Sequence, residues 1–564
     1  MKKYLLFLAL ALSALAPAYA QPRPKLVVGI VVDQMRWDYL YRYYSHYGSD
    51  GFKRLMRGGF NCQQAMINYL PSFTAPGHTC IYTGSVPAIH GIAGNDWFEN
   101  GKFTYCTDDK TVQPVGGSKI WGQMSPRNLL TTTVTDELRL ATNLRSRVFA
   151  VSLKDRSSIL PGGHLANGAY WFDDSTGNFM TSSYYEGSIT TMSCQHCEQP
   201  IYYSNPKWLE DFNSRRLPDS MLTKDWELRD DIRSYSQSEL EMSDNTSNIS
   251  RYKGKIAKND FYANFPHRAQ FFVGNGMTKY NTIRKIPAGN TLSLKLAKAC
   301  IEGNALGQKD ATDFLALSLS ATDYAGHTFG PNALEMEDMY IRLDGDIARF
   351  LRYLDNHIGE GEYTVFLTAD HGAAHNSLLM NDLDIPAGNV SESKLRKDLN
   401  DYLKTQLGRD SMVKTLENYQ VTLNEAKLAG MDLNRESLLT FIRSWLQKRP
   451  EVQFAVVMGT DEVSALPEPI RTMAINGYYA PRCGKILIIL KPGYYAGYAP
   501  TGTTHGTWNP YDTHIPLLFY GWGIRRGETY REVHMTDITA TLSALLHIQM
   551  PNGCIGKVIP EALR

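Results

Sequence analysis

Residues 25–33 read KLVVGIVVD, residues 313–323 read DFLALSLSATD and residues 362–370 read EYTVFLTAD; each is an apolar run that stops on an aspartate, respectively Asp33, Asp323 and Asp370. Apolar runs without polar alternation mark strands covered on both faces, the environment of a parallel sheet. A carboxylate inside such a strand would lose its hydration, whereas at the carboxyl edge it faces the crevice where α/β sheets bind ligands. Three such edges predict an α/β fold with one shared anionic site. His327 follows Asp323, and His371 directly follows Asp370. Mixed carboxylate and imidazole donors suit divalent transition metals.

Working outward, SRVFAVSL (146–153) reads as another buried strand that runs into Lys154, Asp155 and Arg156. Carried on in extended geometry, alternation sets Lys154 and Arg156 on one face and Asp155 on the other. In NYLPSFTAPGHTCIYTG (68–84), Pro71 and Pro76 bracket Thr74, and a short helix is expected to begin near Ala75, leaving Thr74 at its start. Helices are also expected over MRWDYLYRYYSHYG (35–48), over 332–358 from its apolar periodicity, and over 537–547 with Thr536 as cap. The composition turns polar and aperiodic from about 162 to 299. Helix-like and strand-like stretches then alternate from about 378 to 480, and the core is expected to resume at KILIIL (485–490). Two insertions follow from this, the second a small α/β cap.

Asp33, Asp323, His327, Asp370, His371 and His505 all fall on strand ends or on glycine-rich loops after strands, enough donors for two metal ions. His78, His90, His375 and His514 read as capping or packing residues.

The chain of 564 residues opens with two lysines, an apolar stretch and Ala18-Tyr19-Ala20, the pattern of a secretory leader over 1–20 and too short in its apolar part to span a membrane. The expectation is an exported, periplasmic or secreted protein without a membrane anchor. Formal charge is +1, and loss of Lys2 and Lys3 with the leader turns it to −1, so no global field draws in nucleic acid. Eight cysteines give no dense framework, though Cys194 and Cys197 form a CxxC open to a local disulfide, free thiols or a metal knuckle with His196.

The runs VVDQMRWDYL, PSFTAPGHTCIYTGSVPAIHGIAGNDW, SLKDRSSIL, SATDYAGHTFGP, TADHGAA and TTHGTWNPYDTHIPLLFYG, in that order, resemble the alkaline phosphatase superfamily and within it the exported, monomeric PafA-type phosphatases. The resemblance covers most of residues 21–564. It implies a three-layer α/β/α core with a mostly parallel central sheet, and two Zn²⁺ ions. One ion would be held by Asp323, His327 and His505, the other by Asp33, Asp370 and His371, with Thr74 as nucleophile bridging toward the second. Asn95, Lys154 and Arg156 would take the phosphoryl oxygens of small phosphate monoesters. Three carboxylates and an alkoxide balance two divalent ions, so a phosphate dianion needs further positive partners, which Lys154 and Arg156 supply.

Rival readings divide on the same residues. Sulfatases of this superfamily need a Cys or Ser that becomes an aldehyde, and threonine at 74 cannot give one. Phosphodiesterases also use threonine but pair it with an apolar pocket, whereas a lysine and arginine pair favours the extra charge of a monoester. Mutases acting on phosphoglycerate use serine and work in the cytoplasm. A dead, exported zinc- or phosphate-binding protein would typically lack a ligand or the nucleophile, and here every position is filled.

Overall fold

The computed structural model describes residues 23–185, 203–236, 265–268, 278–429, 431–497 and 502–564. The expected leader and the Cys194/Cys197 pair lie outside these residues. Leu26–Val32, Asp313–Leu319 and Tyr363–Thr368 are buried at every position. They lie side by side in parallel, Val31 aligned with both Ser318 and Thr368. Their carboxyl ends are therefore level; Asp33 and Asp370 follow at that edge, whereas Asp323 stands in the first turn of the helix Ala321–Phe329, one turn before His327, and not at the strand end that the apolar run predicts.

These strands are the middle of an eleven-stranded sheet. Val148–Val151 and Gly168–Asp173 extend the parallel set on one side, while Leu517–Gly521 and Asn178–Ser182 run antiparallel at its flanks. The sheet is thus mixed, parallel at the centre where the site sits. Two groups of helices cover it. Thr74–Thr83 packs with Val134–Ala141, Arg156–Gly162 and Asp537–Leu546, and Ala288–Gly303 packs with Lys207–Ser214, Ala321–Phe329 and Leu334–His357.

A separate four-stranded antiparallel sheet, in the order Val413–Glu417, Gln420–Leu423, Ile486–Leu490 and Val452–Val457, forms the cap with helices Glu392–Leu407 and Arg435–Leu446. It has its own hydrophobic cluster, including Leu399, Leu403, Ile442, Leu446 and Val421.

Several sequence expectations change here. The strand 486–490 belongs to the cap, not the core, so the cap runs past 480. Gly168–Asp173 and Asn178–Ser182, read as insertion, are core strands. The aromatic stretch after Asp33 gives only a turn of helix, Tyr39–Arg42, and a 3₁₀ turn, Tyr44–His46. Its tyrosines 39, 43 and 47 are buried instead as a core cluster. Thr536 does not cap through its side chain; the Asp537 carboxylate accepts from the backbone N–H of His534 and Lys557. Among the described residues, Cys62, Cys80, Cys106, Cys300, Cys483 and Cys554 are all free.

Candidate active site

Thr74 is the first residue of a helix, Thr74–Thr83, in which every residue is buried. The turn into it is made by Phe73 in extended geometry, and the Gly77 N–H donates to the Phe73 carbonyl at 2.9 Å. Gly77 lets the helix lie directly on the end of the central strand, since a Cβ there would stand 2.5 Å from the Asp370 carbonyl oxygen. The Thr74 hydroxyl lies 3.3 Å from His371 Nε2. The Asn95 amide oxygen accepts from the Ala75 N–H at 2.9 Å, which fixes its amide plane beside the helix start.

Asp33 and Asp370 from strand ends and Asp323 from a helix start converge, all buried. Lys154 Nζ donates at 2.6 Å to both Asp33 and Asp323. Gln34, whose backbone is left-handed at φ 64°, bridges the other pair: its N–H reaches Asp370 at 3.2 Å and its amide reaches Asp323 at 2.7 Å. Sequence reasoning missed this residue, because a glutamine after a strand end carries no motif.

The imidazoles are sorted by their partners. A carbonyl can only accept, so Nδ1 carries the proton wherever it faces one. His327 Nδ1 donates to the Thr503 carbonyl, His371 Nδ1 to the Gly372 carbonyl and His505 Nδ1 to the Ser72 carbonyl, at 2.9, 3.0 and 2.8 Å. All three therefore offer an Nε2 lone pair, the arrangement of metal-ligating histidines. His78 differs: Nδ1 donates to the Thr74 carbonyl at 3.0 Å and Nε2 accepts from the Ser318 hydroxyl at 2.9 Å, leaving no free lone pair. Its Nδ1 also lies 3.2 Å from Asp370, so it buttresses the nucleophile and a carboxylate together. Its place four residues after Thr74, on the same helix face, was the available signal. His90 faces Cys80, His375 faces Arg36 and Asn332, and His514 stacks on Trp37.

Two trios bring their ligand atoms within 4.8 Å of one another: Asp323 with His371 and His505, and Asp33 with Asp370 and His78. His327 Nε2 stands 3.1 Å from Asp323. His371 Nε2 lies 3.6 Å from Asp33 and 3.5 Å from Asp370, between the two groups. The residues fit divalent cations on two grounds. Asp33 Oδ1 and Asp370 Oδ2 are buried without a hydrogen-bond partner, and the Lys154 ammonium bonds two of the three carboxylates. Burial and the neighbouring Asp370 push the Asp33 carboxyl well up, while His327 and Lys154 hold Asp323 down and His371 and His78 hold Asp370 down against burial. Burial also holds His371 and His505 below their ordinary value, whereas against burial the Asp323 carboxylate draws His327 above its own.

Lys154 and Arg156 do not form the pair that strand alternation predicts. The strand ends at Val151, the chain turns, and Arg156 opens the helix Arg156–Gly162. Lys154 enters the carboxylate cluster, and Arg156 Nη1 donates to the Tyr105 hydroxyl at 3.0 Å, which donates on to Asp155. Arg156 Nε is buried without a partner. A cavity of about 600 Å³ lined by Trp226, Arg229, Pro287, Arg342 and Arg349 shares none of these residues. Its arginines are tied to Ile341, Asp338 and Asp346.

The family model of type I phosphodiesterase / nucleotide pyrophosphatase matches residues 27–512. Alkaline phosphatase PafA of Elizabethkingia meningoseptica is 48% identical over 549 residues, covering 96% of this chain and 95% of that protein. Alkaline phosphatase PhoV of Synechococcus elongatus is 45% identical over 555 residues, covering 96% and 93%. A crystal structure of wild-type alkaline phosphatase PafA matches with a TM-score of 0.87 at 45% identity, over 97% of this chain and 100% of that one. These matches bear out the fold and the resemblance read from the sequence.

Proposed function

The chain belongs to the type I phosphodiesterase / nucleotide pyrophosphatase family, in its PafA-like alkaline phosphatase branch, and on that premise we propose that it is an exported, monomeric phosphatase hydrolysing small phosphate monoesters at a two-zinc site. The observation that supports this most is the Thr74 hydroxyl, buried at a helix start and 3.3 Å from His371 Nε2, which itself lies 3.6 Å from Asp33 and 3.5 Å from Asp370. Among the described residues no helix is long and apolar enough to cross a membrane.

Asp323, His327 and His505 would hold one ion and Asp33, Asp370 and His371 the other, supplying when bound the positive charge that acidifies a hydroxyl and offsets negative charge on oxygen. Thr74 Oγ, having given up its proton to solvent, attacks phosphorus in line; its bond to phosphorus forms as the ester P–O bond breaks, and the alcohol leaves with a proton from solvent. Water then attacks the phosphothreonine, the Oγ–P bond breaks, and phosphate departs. Two inversions give net retention at phosphorus. Arg156, with its unpaired Nε, grips nonbridging oxygens, and Asn95 adds an amide N–H. Lys154 adds a movable point charge from between Asp33 and Asp323.

A second reading, phosphodiesterase, is favoured by that commitment of Lys154 to two carboxylates, which leaves less charge for a dianion. Metal analysis of purified protein with kcat/KM for a matched monoester, diester and sulfate decides between them. The monoesterase reading expects two zincs per chain and a clear monoester preference. A preferred diester, or turnover unaffected by chelator, overturns it. N-terminal sequencing of the exported protein tests the leader.

A further inference from the structure

Two cap residues, Asn418 and Tyr419, reach loops of the site. Glu417 pairs with Gln420, so Asn418 and Tyr419 form a two-residue hairpin turn, both left-handed at φ 56° and 59°. Such a turn matches strand twist but favours Asn-Gly, and a tyrosine in the second place is a backbone outlier of the kind that collects at functional sites. It is held there from three sides. The Tyr419 N–H donates to Glu392 at 2.8 Å, the Ile488 N–H donates to the Tyr419 carbonyl at 2.8 Å, and the Ala496 N–H donates to the Tyr419 hydroxyl at 3.1 Å.

The two side chains diverge to opposite walls of the site. The Tyr419 hydroxyl donates to the His505 carbonyl at 3.2 Å, and its ring stacks on Phe73, which meets the His505 ring edge-on at 5.5 Å. Gly506, at φ 111°, leaves room for both rings, since a Cβ there would stand 2.6 Å from Phe73 and 2.8 Å from Tyr419. The Asn418 amide donates to the Asp96 carbonyl at 2.8 Å, next to Asn95, and rests against Gly94.

We propose that the Asn418–Tyr419 turn is a positioning device with two separable arms: Tyr419 sets the His505 loop for metal retention, and Asn418 sets the Asn95 loop for phosphate recognition. The proposal rests on the functional reading above and adds the residues that hold its parts in register.

The test compares zinc-loaded wild type with Tyr419→Phe, which removes only the hydroxyl, and Asn418→Gly, which keeps the left-handed backbone but removes the amide. Zinc loss to excess EDTA and inhibition by inorganic phosphate are measured for each, with the thermal midpoint as a control on folding. Tyr419→Phe is expected to lose zinc about tenfold faster with phosphate inhibition unchanged. Asn418→Gly is expected to raise the inhibition constant for phosphate about tenfold with zinc loss unchanged. Either variant failing its own readout, or shifting both together, overturns the division of roles and leaves the turn structural. Wild type that holds no zinc, or is not inhibited by phosphate, overturns the functional reading itself, and is seen before any variant is made.

Discussion

At the carboxyl edge of the central sheet, Asp33 and Asp370 follow strands buried along their whole length and aligned residue for residue, and Asp323 sits in the first turn of the helix that follows the strand Asp313–Leu319. The cap delivers Asn418 and Tyr419 on a turn that keeps an unfavourable backbone only because Glu392, Ile488 and Ala496 hold it. The first region fixes its side chains by the packing of the entire core, so moving a ligand means disturbing the fold. The second fixes its side chains by a handful of hydrogen bonds, which single substitutions can release. Chemistry therefore sits on the rigid region, and alignment of the loops around it falls to the adjustable one.

The sharpest way to break that contrast is at Thr74. Thr74→Ala should lower turnover of p-nitrophenyl phosphate by at least about a thousandfold while metal content and thermal midpoint stay near those of wild type. Appreciable residual multiple turnover removes Thr74 from the nucleophile's role. Next in size is the double substitution Lys154→Ala, Arg156→Ala. The monoester-over-diester ratio of kcat/KM should fall by about a hundredfold, because a lost contact to transition-state charge costs about 2.7–4 kcal/mol. Equal losses on both substrates favour the diesterase reading. The smallest effect lies in the cap. Burial raises the Glu392 carboxyl from an ordinary 4.5 to about 7, so between these values the folded chain keeps a proton that the unfolded chain has lost. Stability should fall as pH rises through this window and level off above it. Glu392→Gln should flatten that slope in unfolding midpoints taken from pH about 4 to about 8; an unchanged slope assigns it to other groups.

The same contrast explains what was legible in the sequence. Asp33 and Asp370 could be read because a buried parallel strand leaves an unbroken apolar run and a charged residue then marks its end; Asp323 was found by the same run although the strand stops at Leu319 and the run continues into a helix. Ile486–Leu490 leaves the same signature in the cap for a different reason. Ile486, Ile488 and Leu490 belong to one apolar cluster of the cap and Leu487 and Ile489 to another, so this strand too is covered on both faces. Periodicity cannot separate the two settings. The Lys154 and Arg156 geometry failed because strand alternation was carried through a turn. His327, His371 and His505 were legible as imidazoles, yet their distinction from His78 depends on which carbonyl or hydroxyl each nitrogen meets, and those partners are remote in sequence. Tyr419 and Gln34 left no trace because each acts through a left-handed backbone angle and contacts to residues remote in sequence.

Gly77 closes the matter of adaptability. With the Asp370 carbonyl 2.5 Å from where a methyl would stand, the spacing between nucleophile and carboxylate is set by a missing carbon atom, and no larger side chain can be accommodated without prising the helix from the sheet. Evolution or engineering toward new esters must therefore leave this seam alone and work through the loops that border it.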